Sequence, residues 1–354
     1  MNILFFAGRI IYGGGEKVRN WLVKRIVQKG HHVIYASPRT DIIYKDSLKK
    51  VGLDEVVTAV EYPFHIKKKH PIEYSKAIEK LYKEHQVDLL IIFGGSLVEQ
   101  MIARKCGVKI LLSERCEPAS RPILSQILKH IQYKVADGYV FQTPEAAACY
   151  GKRASRIGTI IPNPIIDTLS DPQFDNLRKE VVSVGRLSPE KNHIGLIDAF
   201  SIFHKSHPDY KLKIYGSGPL KGELIKLTVN KGISEFVEII SGKTNITELI
   251  KGAELFVLNS NTEGMPNALI EAMSMGVLSI STDCPIYGPR MLVKHGVNAY
   301  LTPVGQVESL ANMMNYAIDN KELGNEIRHN SVHIREELNE DNIFSRWEKY
   351  IERI

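Results

Sequence analysis

The chain has 354 residues, 44% hydrophobic and 24% charged, which is ordinary for a soluble globular protein and enough for about two domains of roughly 150 residues. Its net charge of +6 is unevenly held: residues 1–165 carry 26 basic and 15 acidic side chains and residues 166–354 carry 20 and 25, so the first half is expected to face an anionic partner. No apolar run reaches the 18 or so residues that cross a bilayer, MNILFFAG lacks the flank and cleavage site of a signal peptide, and four cysteines without a CxxC pair suit neither a disulfide framework nor a zinc site; a cytoplasmic protein is expected.

In chain order, the first apolar run, NILFFAG, reads as a buried strand, and Gly13 to Gly15 follow it just before a helix. Consecutive glycines let backbone approach a ligand closely, and a helix N-terminus offers N–H groups to an anion. The turn fails the dinucleotide pattern GxGxxG because Val18 stands at the third glycine, and a turn capped by Glu16 explains it equally. The helix EKVRNWLVKRIVQKG mixes Lys17, Arg19, Lys24, Arg25 and Lys29 with Trp21, Leu22, Ile26 and Val27; with HIKKKH (65–70) it suits an anionic membrane surface, although the same stripe must also cover the sheet. HHVIYAS, DLLIIFG, KILLSE and GYVFQT continue the strand and helix alternation of a parallel sheet.

The stretch 161–180, IPNPIIDTLSDPQFDNLRKE, has no sustained period and reads as an interdomain linker. The rhythm then restarts with EVVSVGR, the helix HIGLIDAFSIFHKSH, YKLKIYGSG, a helix near 220–231, FVEIISG and AELFVLNS. The expected architecture is α/β, with two facing doubly wound domains: 1–165, a linker at 166–179, and 180–341. The last residues, 342–354, form a helical stripe through Ile343, Phe344, Trp347, Tyr350 and Ile351, expected to pack back on the first domain.

Three clusters in the second half carry chemistry. In SVGRLSPEKNH, Arg186 ends a strand and Lys191 stands just ahead of a helix; two cations at the carboxyl end of a parallel strand can neutralise a diphosphate without a metal. In IYGSGPL, Gly216 and Gly218 shape a turn at the next strand end. In NTEGMPNALIEAMSMG, Pro266 and Asn267 start a short helix, Gly276 stops it, and Glu263 and Glu271 lie eight residues apart. Glu271 sits among Leu269, Ile270, Ala272, Met273 and Met275, so a carboxylate there needs a partner: ligand hydroxyls, a structural ion pair or the helix N-terminus.

Taken in order, GGGE, SVGRLSPEKN, YGSGPL, SGKTN and EGMPNALIE resemble the family 4 retaining glycosyltransferases, across nearly the whole chain. STDCPIYGPRMLVKHGVNAYL and LLSERCEP resemble members that build bacterial surface polysaccharides. The resemblance implies the GT-B architecture, two Rossmann-like domains with a crevice between them. It implies that Arg186 and Lys191 hold the diphosphate of a nucleotide-sugar and that Glu271 binds the ribose. Glu263, with the backbone of the loop Gly264, Met265, Pro266 and Asn267, would grip the donor sugar, and Gly14, Gly15 and Gly216 would approach the donor. Glu263, Arg186 and Lys191 are the expected catalytic set. No cofactor or metal is expected. The implied partners are a nucleotide-sugar donor, UDP-linked by preference, and a glycan or lipid-linked acceptor; nucleic acid is not expected. Many relatives place a His near the donor sugar where this chain has Glu114 and Arg115.

A glycoside hydrolase also uses two carboxylates but has no need of a strand-end Arg and Lys. A nucleotide-sugar epimerase on the same architecture would isomerise free donor without acceptor. A non-catalytic partner subunit would not need Glu263, Arg186, Lys191 and Glu271 together.

Overall fold

The computed structural model describes residues 1–7, 13–38, 42–93, 97–115, 131–166, 169–243, 245–285 and 288–354. Two compact units emerge: Met1–Ile166 with Glu340–Ile354, and Asp167–Asn339.

The first unit is built on β1 (Asn2–Phe6), β2 (His32–Ser37), β3 (Val57–Glu61), β4 (Leu89–Ile92), β5 (Lys109–Ser113), β6 (Gly138–Phe141) and β7 (Gly158–Ile160). They pair in parallel in the order β3-β2-β1-β4-β5-β6-β7, Leu4 of β1 lying between Ile34 and Leu90. Ile3, Leu4, Phe5, Leu90 and Ile91 have no exposed surface, because in a parallel sheet the crossover helices cover both faces and each central strand is apolar throughout.

The first helix, Gly14–Gln28, buries Val18, Trp21, Leu22, Val23 and Ile26. The C-terminal helix, Glu340–Arg353, buries Ile343, Phe344, Trp347, Tyr350 and Ile351, the stripe that the period of the sequence marks. The two helices meet. Trp21 donates to Glu340 at 2.7 Å and sits edge-on to Phe344 at 6.2 Å; Arg25 pairs with Asp341, and Lys29 with Glu348 at 2.8 Å. The apolar face of the first helix and two of its cations, Arg25 and Lys29, are therefore engaged within the unit. Hydrophobic burial outcompetes amphipathic display once a complementary helix is available.

The second unit holds β8 (Arg178–Val184), β9 (Lys211–Tyr215), β10 (Val237–Ile240), β11 (Ala253–Leu258), β12 (Leu278–Thr282) and β13 (Tyr300–Thr302), parallel, in the order β10-β9-β8-β11-β12-β13. Phe200, Phe203, Leu212, Leu255, Val257 and Ile280 are among its fully buried core. Much of the stretch read as a linker belongs to this body: the Phe174 ring stacks on His329 at 3.9 Å, Gln173 N donates to Met275 O, and Arg335 donates to Ser170 O at 2.7 Å. Proline and asparagine broke its period, yet single side chains suffice to anchor an irregular segment.

Candidate functional site

In the second unit the strand order reverses between β8 and β11, neighbours whose following helices leave the sheet in opposite directions. The crevice beyond their carboxyl ends is where such sheets bind ligands. Arg186 and Lys191 lie in the loop after β8, and Glu263 in the loop after β11, so both loops open at this one place.

The two loops are joined directly. Asn261 N donates to Glu190 O at 2.8 Å, Asn261 Nδ2 to Pro189 O at 3.1 Å, and Asn259 Nδ2 to Asn192 O at 3.1 Å. Lys191 Nζ forms an ion pair with Glu263, whose side chains are 18% and 10% exposed. Ser260 Oγ donates to the same Glu263 oxygen at 2.6 Å, and the Ser260 carbonyl accepts from Thr282 Oγ1 at 2.5 Å and Cys284 Sγ at 3.1 Å. Burial pushes the Cys284 thiol up to about 12, so it stays a protonated donor. Glu263 is thus fixed by one cation and by the hydroxyl of Ser260, whose backbone carbonyl is held from Thr282 of β12.

Arg186 differs from Lys191. Its side chain is 72% exposed and lies 3.1 Å from Glu190, four residues on in the same loop. Such a surface pair is weak, and the guanidinium is available to a stronger anion. His193, at the start of the helix His193–Ser206, is 2% exposed; burial, then the Lys191 charge, hold its imidazole down to about 4. The Asn192 side chain caps this helix by accepting from Gly195 N at 3.2 Å.

The helix Asn267–Ser274 has no side-chain cap at its N-terminus. It buries Leu269, Ile270, Ala272, Met273 and Ser274, while Asn267, Ala268 and Glu271 are half-buried. Glu271 therefore lies on the open strip of the helix, one turn beyond Asn267, and is less enclosed than its apolar neighbours suggested. Met265 and Pro266 are buried beneath the loop.

Close backbone approach shapes the floor. A Cβ on Gly216 would stand 1.9 Å from Gly185 O, which locks the β9 turn onto the β8 turn; a Cβ on Gly288 would stand 1.3 Å from Gly264 O, so Gly288 supports the Glu263 loop from below. Ser260, Asn261, Thr282 and Gly288 had not been singled out from the sequence. The run STDCPIYGPR carried the signal, with a turn glycine after a strand whose role needs the neighbouring loop to be seen.

In the first unit Gly14 and Gly15 open the first helix, and a Cβ on Gly15 would meet nothing within 4 Å, so its own packing does not require glycine. Residues 8–12 of that turn and Cys116 to Pro118 of LLSERCEP lie outside the described residues. Glu114 and Arg115, standing where a His was expected, are engaged within the unit. Tyr133 donates to Glu114 at 3.2 Å; Arg115 bonds Ser113 and Asn163 and lies over the Phe93 and Trp347 rings at 5.1 and 5.7 Å.

Comparison with known proteins finds similar chains and structures. Residues 168–333 match the family model of glycosyl transferases group 1. An uncharacterized glycosyltransferase of Haemophilus influenzae is 24% identical over 343 residues, 95% of each chain. The Campylobacter jejuni GalNAc-alpha-(1->4)-GalNAc-alpha-(1->3)-diNAcBac-PP-undecaprenol alpha-1,4-N-acetyl-D-galactosaminyltransferase is 25% identical over 284 residues, 78% of each chain. Among solved structures, Anabaena HepE, crystallised with UDP and glucose, superposes over 100% of both chains with a TM-score of 0.84 at 18% identity. The fold is that of the GT-B structures, and residues 168–333, most of the second unit, are similar to the group 1 glycosyl transferases.

Proposed function

We propose that this protein is a retaining glycosyltransferase of family 4. It moves a hexose or N-acetylhexosamine from a nucleotide-diphosphate sugar, UDP-linked, to a hydroxyl of a glycan or lipid-linked acceptor in cell-surface polysaccharide assembly at the cytoplasmic face of the membrane. One observation carries the reading: the loops after β8 and β11 join at the switch point of the second unit and bring Lys191 onto Glu263, with Arg186 exposed beside them. The HepE complex with UDP and glucose and the undecaprenol-linked acceptor in the name of the Campylobacter enzyme support the donor and acceptor classes.

Arg186 and Lys191 neutralise the diphosphate, aided by the N-terminus of the helix Asn267–Ser274. Glu271 accepts the ribose hydroxyls. Glu263 and the backbone of Gly264, Met265, Pro266 and Asn267 hold the sugar, and Gly216 keeps the adjoining turn close to the β8 loop. Gly14 and Gly15 keep the donor-binding role assigned to them from the sequence. In the reaction the bond between the anomeric carbon and the phosphate oxygen breaks, and the acceptor oxygen bonds to that carbon from the same face. The acceptor proton passes to a leaving phosphate oxygen. The cations hold the charge that develops on the leaving group, so no divalent metal is required.

Calorimetric titration with UDP, GDP and ADP, followed by transfer from the matching sugar and NMR of the product linkage, tests the reading. Binding of UDP and a product of retained configuration are expected. A chain that binds none of the three diphosphates, or that isomerises donor without acceptor, would refute it.

A further inference from the structure

The basic, apolar-edged surface expected in the first half of the chain drew on the first helix and on HIKKKH (65–70). The first helix is closed off by the C-terminal helix. The HIKKKH segment and its surroundings stay open: the 3-10 turn Phe64–Ile66, residues 67–70, and the first turns of the helix Pro71–Glu84. Here Phe64 is 48% and Ile72 72% exposed, the latter the largest exposure among the large apolar side chains of the described residues.

Cations surround them. Lys68, Lys69 and Lys76 are exposed and have no carboxylate within 4 Å among the described residues, and Lys76 lies one turn beyond Ile72 on the same helix face. Lys67, just ahead of Lys68 in sequence, turns inward instead: its Nζ is 2.7 Å from the buried Glu99 and lies over the Phe64 and Tyr74 rings at 5.5 and 5.3 Å. Tyr74 also donates to Glu99 and Tyr62 packs edge-on against Phe64 at 6.1 Å. The segment is therefore pinned from beneath, while Lys68, Lys69 and Lys76 make no ion pair among the described residues. Glu73 is the sole acidic residue between Tyr62 and Ile78, 3.7 Å from His70 Nδ1. Farther along the helix the lysines are neutralised: Lys80 pairs with Glu84 and Lys83 with Glu79. The unpaired charge is concentrated where the apolar side chains are exposed.

We propose that this segment is a docking surface for an anionic lipid bilayer, with Phe64 and Ile72 entering the headgroup boundary and Lys68, Lys69 and Lys76 meeting the lipid phosphates. A purely electrostatic partner such as nucleic acid would leave Ile72 without a role, and an apolar protein partner would leave the lysines without one. The purpose of the surface rests on the lipid-linked acceptor proposed above; its existence does not.

The test is co-sedimentation of the full chain with vesicles of phosphatidylglycerol and phosphatidylcholine in equal parts, against pure phosphatidylcholine. Binding to the anionic vesicles alone is expected, weakening as salt rises to about 0.5 M. Each of Lys68→Ala, Lys69→Ala and Lys76→Ala should weaken it about fivefold at low salt, and Ile72→Ser by roughly tenfold. Lys24→Ala, on the covered first helix, should match wild type. All five variants replace exposed side chains and should keep wild-type circular dichroism and UDP affinity. Wild-type protein that stays in the supernatant at low salt, an Ile72→Ser variant that binds normally, or equal affinity for single-stranded DNA would overturn the proposal. None of these outcomes touches UDP binding, so the donor reading stands or falls separately.

Discussion

Lys191 has two consequences that one substitution separates. Because it neutralises a carboxylate that is only 10% exposed, Lys191→Ala should cost stability, about 1–3 kcal/mol, as well as diphosphate affinity. Arg186→Ala removes an exposed cation and should weaken UDP binding with an unchanged denaturation midpoint. Unaltered calorimetric UDP affinity in both variants would remove the diphosphate assignment. Glu263→Gln should lower turnover and Glu271→Gln should raise the donor dissociation constant, by roughly 1.5–3 kcal/mol for a bond to a charged group; the opposite pattern would exchange their roles. His193 gives a pH signature. The unfolded chain takes up its proton below about pH 6.5, whereas burial and then Lys191 delay this in the fold until about pH 4. The stability present above the unfolded value is therefore lost as pH falls through that window, by up to roughly 3 kcal/mol. Urea midpoints at about pH 7.5 and about pH 5 should fall more for wild type than for His193→Gln.

At the scale of elements, the site depends on loops held against one another. Gly216→Ala should force the β8 and β9 turns apart, destabilising by about 1–3 kcal/mol and raising the donor KM, since the added carbon has no room beside Gly185 O. The strands, the helix Asn267–Ser274 and its Pro266 start were legible because apolar runs and turn residues are local signals. Glu271 was read as more enclosed than it is, because periodicity shows which residues are apolar and not which face of a short helix remains open. The C-terminal helix was legible as a stripe, and its contacts were not: Trp347 is fully buried and stacks on Phe93 at 6.1 Å, while Tyr350 OH donates toward Ile157 and accepts from Tyr139 N. Trp347→Ala should destabilise the first unit by about 3–5 kcal/mol. Trp21, the other tryptophan, then reports that unit's unfolding by fluorescence.

For the molecule as a whole, the cationic pair and helix N-terminus predict transfer that persists in excess EDTA; activity lost to the chelator and restored by magnesium or manganese would contradict it. The sequence by itself determined two runs of alternating strands and helices, the resemblance that EGMPNALIE and SVGRLSPEKN carry, and the basic character of the first half, because periodicity, turn chemistry and charge are properties of neighbouring residues. Tertiary structure decided the rest. Only the strand order puts the loop of Lys191 against that of Glu263, 72 residues away, and only packing assigns Trp21, Arg25 and Lys29 to the C-terminal helix while leaving Phe64, Lys68, Lys69 and Ile72 exposed. A stretch of sequence specifies which surfaces seek burial or a counter-charge, but the partner each one finds depends on residues far along the chain.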